Sequence, residues 1–126
     1  MSWKATFSFD QKNDVVTARF NEVLLQNAAD VERWRQLVEG HISVYGRKVD
    51  LLIDLSGLVV KSSAGRLFGV VRAAVLAKYT NRSFRFGGDQ RTQMFIQTSA
   101  VLDGTASNIY ATEADALAAL LKDRTK

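Results

Sequence analysis

Two hydroxyls stand side by side at Ser62 and Ser63, followed by Ala64-Gly65 and flanked by the cations Lys61 and Arg66. Upstream, Leu51-Leu52-Ile53-Asp54-Leu55 opens as an apolar run, which suits a strand buried on both faces. Downstream, Leu67 to Tyr79 reads as a long apolar helix. A strand, a serine-rich turn and a helix N-terminus together form a natural site for an anion or a phosphorylated hydroxyl, because the first amides of the helix lack intrahelical partners. Lys61 and Arg66 would attract an added phosphate or a partner's acidic group. The same pattern also fits a purely structural role, in which Ser62 or Ser63 is only the N-cap of the helix.

Catalytic chemistry finds less support. Asp50 and Asp54 share a strand face by parity, and Asp54 nears the strand's C-terminal end, where α/β sites gather. No base, metal cluster or nucleophile accompanies them, so the chain reads as a non-enzyme. Asp54 is expected to cap the turn at Ser56-Gly57. There is no cysteine, and His41 is the only histidine. Thiol nucleophiles, disulfides, His-cluster zinc sites and a Ser-His-Asp triad are thereby excluded. Gly87-Gly88-Asp89 could approach a phosphate closely, but it lacks P-loop or dinucleotide spacing and reads as a plain loop. No cofactor is expected.

At 126 residues the chain is expected to form one domain, spanning 1–126. Its net charge of +4 is mild. Basic residues gather at Lys78, Arg82, Arg85 and Arg91 and at Lys122, Arg124 and Lys126. Without the aromatic-plus-basic pattern of RNA modules, they read as a solvated surface, and no nucleic-acid partner is expected. No segment resembles a signal peptide, and no apolar run reaches membrane-spanning length. With no cysteine, a cytoplasmic location is expected.

The hydroxyl loop needs a scaffold, and the periodicities supply one. Trp3, Ala5, Phe7 and Phe9 alternate with polar residues, as do Val16, Ala18 and Phe20, so residues 3–20 read as a β-hairpin turning at 10–14. Residues 23–26 read as a short link. Asn27 is expected to cap a helix with Val31, Trp34, Leu37 and Val38 on its apolar face, stopping near Gly40, with His41 at its end or on the surface. The central strand is 49–55 and the second helix is 63–79. After a break at Thr80-Asn81-Arg82 come a strand at 83–86, a helix at 90–99 around Met94, Phe95 and Thr98, and a turn at Asp103-Gly104. A strand at 108–110 and a helix capped by Thr112, with Ala116, Leu117, Leu120 and Leu121 as its apolar stripe, finish the chain. A hairpin followed by strand–helix alternation predicts an α/β fold: a mixed sheet, parallel in its later part, covered by about four helices.

This order, and three local sequences, resemble the STAS domain, the family named for sulfate transporters and anti-sigma factor antagonists. Val49 to Leu58 looks like the family's central strand, with Asp54-Leu55-Ser56-Gly57 at its end. Ser62-Ser63-Ala64-Gly65 sits where the family carries its Asp-Ser-Ser-Gly phosphorylation loop. Ser99 to Gly104, then Tyr110 to Leu120, resemble the family's closing helix, turn, strand and Ala-rich helix. Aligned without a gap from Asp54, the family's phosphoacceptor serine becomes Ala64 and its glycine stays at Gly65. A one-residue gap instead puts Ser62 and Ser63 on the two serines and Lys61 on the aspartate. The ungapped match is the simpler.

The resemblance implies a non-enzymatic regulatory module that binds a protein partner, such as a serine kinase acting as an anti-sigma factor. Under the ungapped match it also implies that the standard phosphoserine switch is absent, leaving Ser63 and then Ser62 as remaining acceptors. The alternative is a domain of the same fold that binds a small ligand, a nucleotide or an apolar molecule. The second helix bears on the choice. Leu67, Val70, Val71 and Ala74 make one apolar row, read as the core stripe. Phe68, Val75 and Tyr79 make another beside Arg72, read as a docking surface or homodimer contact. A deeply buried helix, apolar all round, would account for both rows equally. The placement of the central strand is open to a direct check. Ile53→Asp should bury an unpaired charge and abolish cooperative thermal unfolding followed by circular dichroism.

Overall fold

In the computed structural model, which describes residues 3–126, the hairpin forms as the alternation predicts. Strand β1 (Lys4–Asp10) runs antiparallel to β2 (Val15–Asn21). The Asp10 carboxylate fastens the turn by accepting from the Asn13 backbone N–H at 3.2 Å and from its side-chain amide at 2.7 Å. There follow β3 (Val23–Leu25), α1 (Ala28–Ile42), a 3-10 turn (Ser43–Tyr45) and β4 (Val49–Asp54). Then come β5 (Leu58–Val60), α2 (Ser62–Tyr79), β6 (Thr80–Phe86), α3 (Gln90–Asp103), β7 (Ile109–Tyr110) and α4 (Glu113–Asp123).

The main sheet has the order β1-β2-β4-β6-β7, antiparallel in the hairpin and parallel beyond it. It is the mixed sheet that the sequence predicts. Strand β4 lies at its centre and is buried on both faces, which is why its apolar residues run without alternation. Leu51 and Ile53 join Val16, Ala18 and Phe20 under α1, α2 and α3. Leu52 joins Val15, Phe84 and Phe86 under α4, against Ala116 and Leu120.

Helix starts follow their capping residues. Asn27 Oδ1 accepts from the Asp30 N–H at 3.0 Å, and Asp30 Oδ2 accepts from the Gln26 N–H at 2.9 Å, two bonds that fix the start of α1. Asp89 caps α3 and Thr112 caps α4 in the same way. Helix ends are less regular. Helix α1 continues through Gly40 to Ile42, so His41 lies in its last turn. His41 is exposed, and its ring stacks on Phe7 with 4.6 Å between centroids. The expected break at 80–82 is absent: α2 passes directly into β6, with Thr80 Oγ1 donating to the Leu76 carbonyl at 2.7 Å as its backbone becomes extended. Helix α3 runs on to Asp103 and ends at Gly104, whose φ of 70° closes the helix.

Two short strands were not legible. Residues 23–25 and 58–60, read as link and loop, pair in parallel as a separate small sheet from Val23↔Leu58 to Leu25↔Val60. Three residues are too few to show a period, and the pairing joins segments distant in sequence.

The two rows of α2 largely exchange roles, although Val71 of the expected core row does pack half-buried against the core. Phe68 is 1% exposed, and Arg72 and Val75 are buried with it, while Tyr79 is half-buried against the core. Leu67 and Val70, assigned to the core stripe, are 41% and 65% exposed, and Ala74 is exposed too. The physical reason is the seat of α2 between α1 and α3. A Cβ on Gly65 would lie 2.4 Å from the Phe95 ring, and one on Gly69 would lie 3.1 Å from the Ser99 side chain. The missing side chains let α3 come close on this side, most tightly at Gly65, where a Cβ would displace the Phe95 ring, and that approach sets the rotation of α2. Phe68 meets Trp34 edge-on at 5.0 Å between ring centroids. Accordingly, Phe68→Ala should lose about 3–5 kcal/mol of stability, and Val70→Ser should stay within about 0.5 kcal/mol, as measured by urea unfolding.

Candidate functional site

The serine loop is held by three backbone constraints. Strand β4 ends at Asp54, whose Oδ1 accepts from the Ser56 N–H at 2.9 Å, the cap that the sequence suggests. At Gly57 the chain crosses β2 so closely that a Cβ would lie 1.9 Å from the Phe20 carbonyl oxygen. No other residue fits there without backbone movement. The Val23 N–H then donates to the Gly57 carbonyl at 3.0 Å, and the Lys61 N–H donates to the Leu25 carbonyl at 2.9 Å. Lys61 is thereby fixed in extended conformation at the mouth of α2.

Lys61, and neither serine, is the N-cap of α2, and it makes no side-chain capping bond. Ser62 and Ser63 are the first two helical residues. The expectation of a serine N-cap fails because the β3–β5 pairing holds the chain extended only up to Lys61, so the helix begins directly after it at Ser62, one residue earlier than expected. Ser63 finds a different partner: its Oγ donates to the Gln26 carbonyl at 2.5 Å and ties the head of α2 to the lead-in of α1. Among the described residues the Ser62 hydroxyl has no partner.

Lys61, Ser62, Ser63 and Arg66 are exposed, whereas Ala64 and Gly65 are buried. The loop cluster therefore divides into a surface quartet and a packing pair. The second cluster, Phe68, Arg72, Val75 and Tyr79, does not join them, because it faces inward. In its place Leu67 and Val70 lie outward on the first turns of α2, next to Lys61 and Arg66 in sequence. The glycine spacing Gly65-x-x-x-Gly69 is the signal that could have found this phase, since it marks the side where a neighbouring helix comes close.

The acidic residues are committed to structure. Asp50 is buried on the α4 side, where its Oδ2 accepts from Arg124 Nε at 2.7 Å and its Oδ1 lies 3.6 Å from Arg82 Nη1. Arg124 also donates to the Asn13 and Asp14 carbonyls, pinning the end of α4 to the hairpin turn. Asp54 Oδ2 accepts from Arg19, which reaches on to Glu113 at 2.6 Å. Gly87-Gly88-Asp89 is likewise occupied. Asp89 caps α3, the Gly87 carbonyl accepts from the Gln93 side chain at 2.8 Å, and a Cβ on Gly88 would meet Leu55 Cβ at 2.7 Å. Among the described residues no helix is long and apolar enough to cross a membrane.

Solved structures share this architecture. An anti-sigma factor antagonist from Mycobacterium paratuberculosis matches with a TM-score of 0.68 and 16% identity over 94% of each chain. A DUF3478-family protein with a SpoIIAA-like fold from Shewanella loihica matches at 0.61 and 17%, over 94% of this chain and 93% of that one. The phosphorylated form of the Bacillus cell fate determinant SpoIIAA matches at 0.55 and 18%, over 98% and 100%. No protein-family model matches the chain. The comparison with curated proteins likewise finds no match. The likeness establishes a STAS-like fold, in agreement with the resemblance seen in the sequence.

The tie made by Ser63 has a measurable consequence. Ser63→Ala should cost about 1 kcal/mol and Ser62→Ala no more than about 0.5 kcal/mol in urea unfolding, because only the first removes a hydrogen bond.

Proposed function

We propose that this chain, a domain of STAS-like fold, is a non-catalytic regulatory module that acts by binding a protein partner, without the standard phosphoserine switch. One observation carries the reading: the cationic and apolar surface at the head of α2. Lys61 and Arg66 are exposed and enter no ion pair among the described residues, and Leu67 and Val70 stand outward beside them. Apolar side chains in such a patch supply burial on docking, and the charges around them steer an acidic partner and fix its register. A serine-kinase-type anti-sigma factor is the partner class that the likeness to anti-sigma factor antagonists points to.

Two observations support the absence of the usual switch. Ala64, the acceptor position in the ungapped match, is buried and carries no hydroxyl. The Ser63 hydroxyl is spent on the Gln26 carbonyl. A phosphate there would replace a donated hydrogen with a charge of about −1.5 to −2 facing a carbonyl oxygen, and would break the tie. The ion pairs of Asp50 and Asp54 support a non-catalytic role. The interior cavity of about 20 Å³ is too small for a nucleotide, and the open cleft of about 630 Å³ beside α2 and β6, lined among others by Arg82, Asp103 and Asp123, has no glycine-rich phosphate loop in its lining.

Arg66→Glu and Val70→Glu should each weaken capture of the partner from the protein's own cells by at least about tenfold, equivalent to 1.4 kcal/mol, with the melting temperature unchanged. Sedimentation of the same variants separates partner docking from self-association: a dimer lost in both would reassign the surface to a homodimer contact. Intact-mass analysis of the protein from those cells should give an unmodified loop. A stoichiometric phosphate on Ser62 or Ser63 would overturn the constitutive reading.

A further inference from the structure

Helix α3 presents two faces at helical spacing. Thr92, Ile96, Ser99 and Ala100 are buried. On the far side Gln90, Met94, Gln97, Thr98 and Val101 recur at intervals of three and four residues, and all are exposed. Met94 is 57% exposed and Val101 78%, and Leu102, on the shoulder toward α2, is 80% exposed. A single apolar side chain on a surface needs no explanation, but three on one helix form a patch. From Thr92 to Leu102 the helix also carries no charge, and Arg91 and Asp103 stand one at each end of that interval. The other outer helices differ: α1 exposes Glu32 and Arg33, and α4 exposes Asp115 and Lys122. Surfaces that only face water are normally interspersed with charges of both signs, so solubility does not account for this one.

The chemistry of the face selects its occupant. Two copies of a chain with a net charge of +4 repel each other, so a contact between copies must keep cations apart. The head of α2 fails that condition, because Lys61 and Arg66 would lie near their own images across a two-fold axis. The outer face of α3 meets it. Its apolar side chains can bury against their own copies. Its polar ones, Gln90, Gln97 and Thr98, each carry a donor and an acceptor, so each can pair with itself. In a two-fold contact the same patch serves both copies, which demands this kind of self-matching. Setting the two Arg91 ends together would bring like charges side by side, so the helices must run antiparallel. With the axis beside Gln97, midway between Arg91 and Asp103, Met94 of one copy lies against Val101 of the other. From Gln90 to Val101 the stripe runs roughly 17 Å, at about 1.5 Å per residue. One helix pair of that length falls short of the ~800 Å² per partner of a standard interface, so the contact is weak, with a dissociation constant on the order of 10–100 μM.

We propose that the outer face of α3 joins two copies of this chain in an antiparallel, two-fold symmetric dimer, centred on Gln97 with Met94 packed against Val101. The contact is separate from the head of α2 and does not rest on the partner-binding reading.

Sedimentation equilibrium of the whole chain, at loading concentrations spanning that range, should show the average mass rising from one chain toward two. Met94→Lys places a cation in the contact and, being exposed, should leave the melting temperature unchanged while weakening association at least about tenfold. Val101→Glu should do the same. Mixing the two variants should restore a dimer, because the introduced charges then face each other across the antiparallel pair. The chain has no cysteine, so a single introduced one reports on the axis. Mild oxidation should yield a disulfide-linked dimer from Gln97→Cys and none from Leu67→Cys. Val70→Glu, at the head of α2, should leave association unaltered. A single-chain mass across the whole range would overturn the proposal; if Met94→Lys then also loses capture of the protein partner, the face belongs to that partner instead. A dimer that survives Met94→Lys, or that dissociates only in Val70→Glu, would overturn it equally and assign the contact to another surface.

Discussion

The close approach of α2 and α3 at Gly65 and Gly69 is the constraint on which the rest depends. A Cβ on Gly65 would enter the Phe95 ring and force it to move, and one on Gly69 would crowd the Ser99 side chain. The contact of the two helices sets the rotation of α2, and that rotation directs Phe68, Arg72 and Val75 inward and Leu67 and Val70 outward. It places Phe68 against Trp34 of α1, so that three helices and the sheet close over one core. The exposed head of α2 and the burial of Arg72 are two results of the same packing.

The opposite face of the sheet is held differently. One helix, α4, covers it, with Ala116 and Leu120 as its buried contacts. Charged groups support the edges of this smaller core. Arg19 joins Asp54 to Glu113, Arg82 reaches Asp123, and Arg124 joins Asp50 to the hairpin turn. Asp50 is buried, so its two arginines compensate a charge that would otherwise be costly inside the protein. The exposed pairs among the rest contribute little individually. Both aspartates that parity sets on one strand face thus serve the attachment of α4.

The two cores treat charge in opposite ways. On the α4 side each buried carboxylate meets a guanidinium. On the other side Arg72 and Arg85 meet hydroxyls and a carbonyl, with no carboxylate bound to either.

Much of this protein was determined by sequence alone. The alternation of Phe7 and Phe9, and of Val16, Ala18 and Phe20, specifies the hairpin, because a strand half-buried on one face must show a period of two. The unbroken run at 51–53 specifies a central strand. Asn27 and Thr112 are side chains able to satisfy helix amides, and α1 and α4 begin at them, whereas Asp89, read as part of a loop, proves to cap α3. The exposed Lys61, Ser62, Ser63 and Arg66 were legible because polar residues broke an apolar stretch. Tertiary structure decided the rest. Strands β3 and β5 exist only because each finds the other, so no local period announces them. Their pairing, in turn, moves the start of α2 to Ser62 and makes Lys61 its cap. The faces of α2 could not be phased from a helix that is apolar nearly all round; the neighbours on either side had to choose. Arg85 reads in sequence as one more residue of a basic cluster. Only the parity of β6, set by pairing with β4, turns it into the interior beside Arg72 and Trp34.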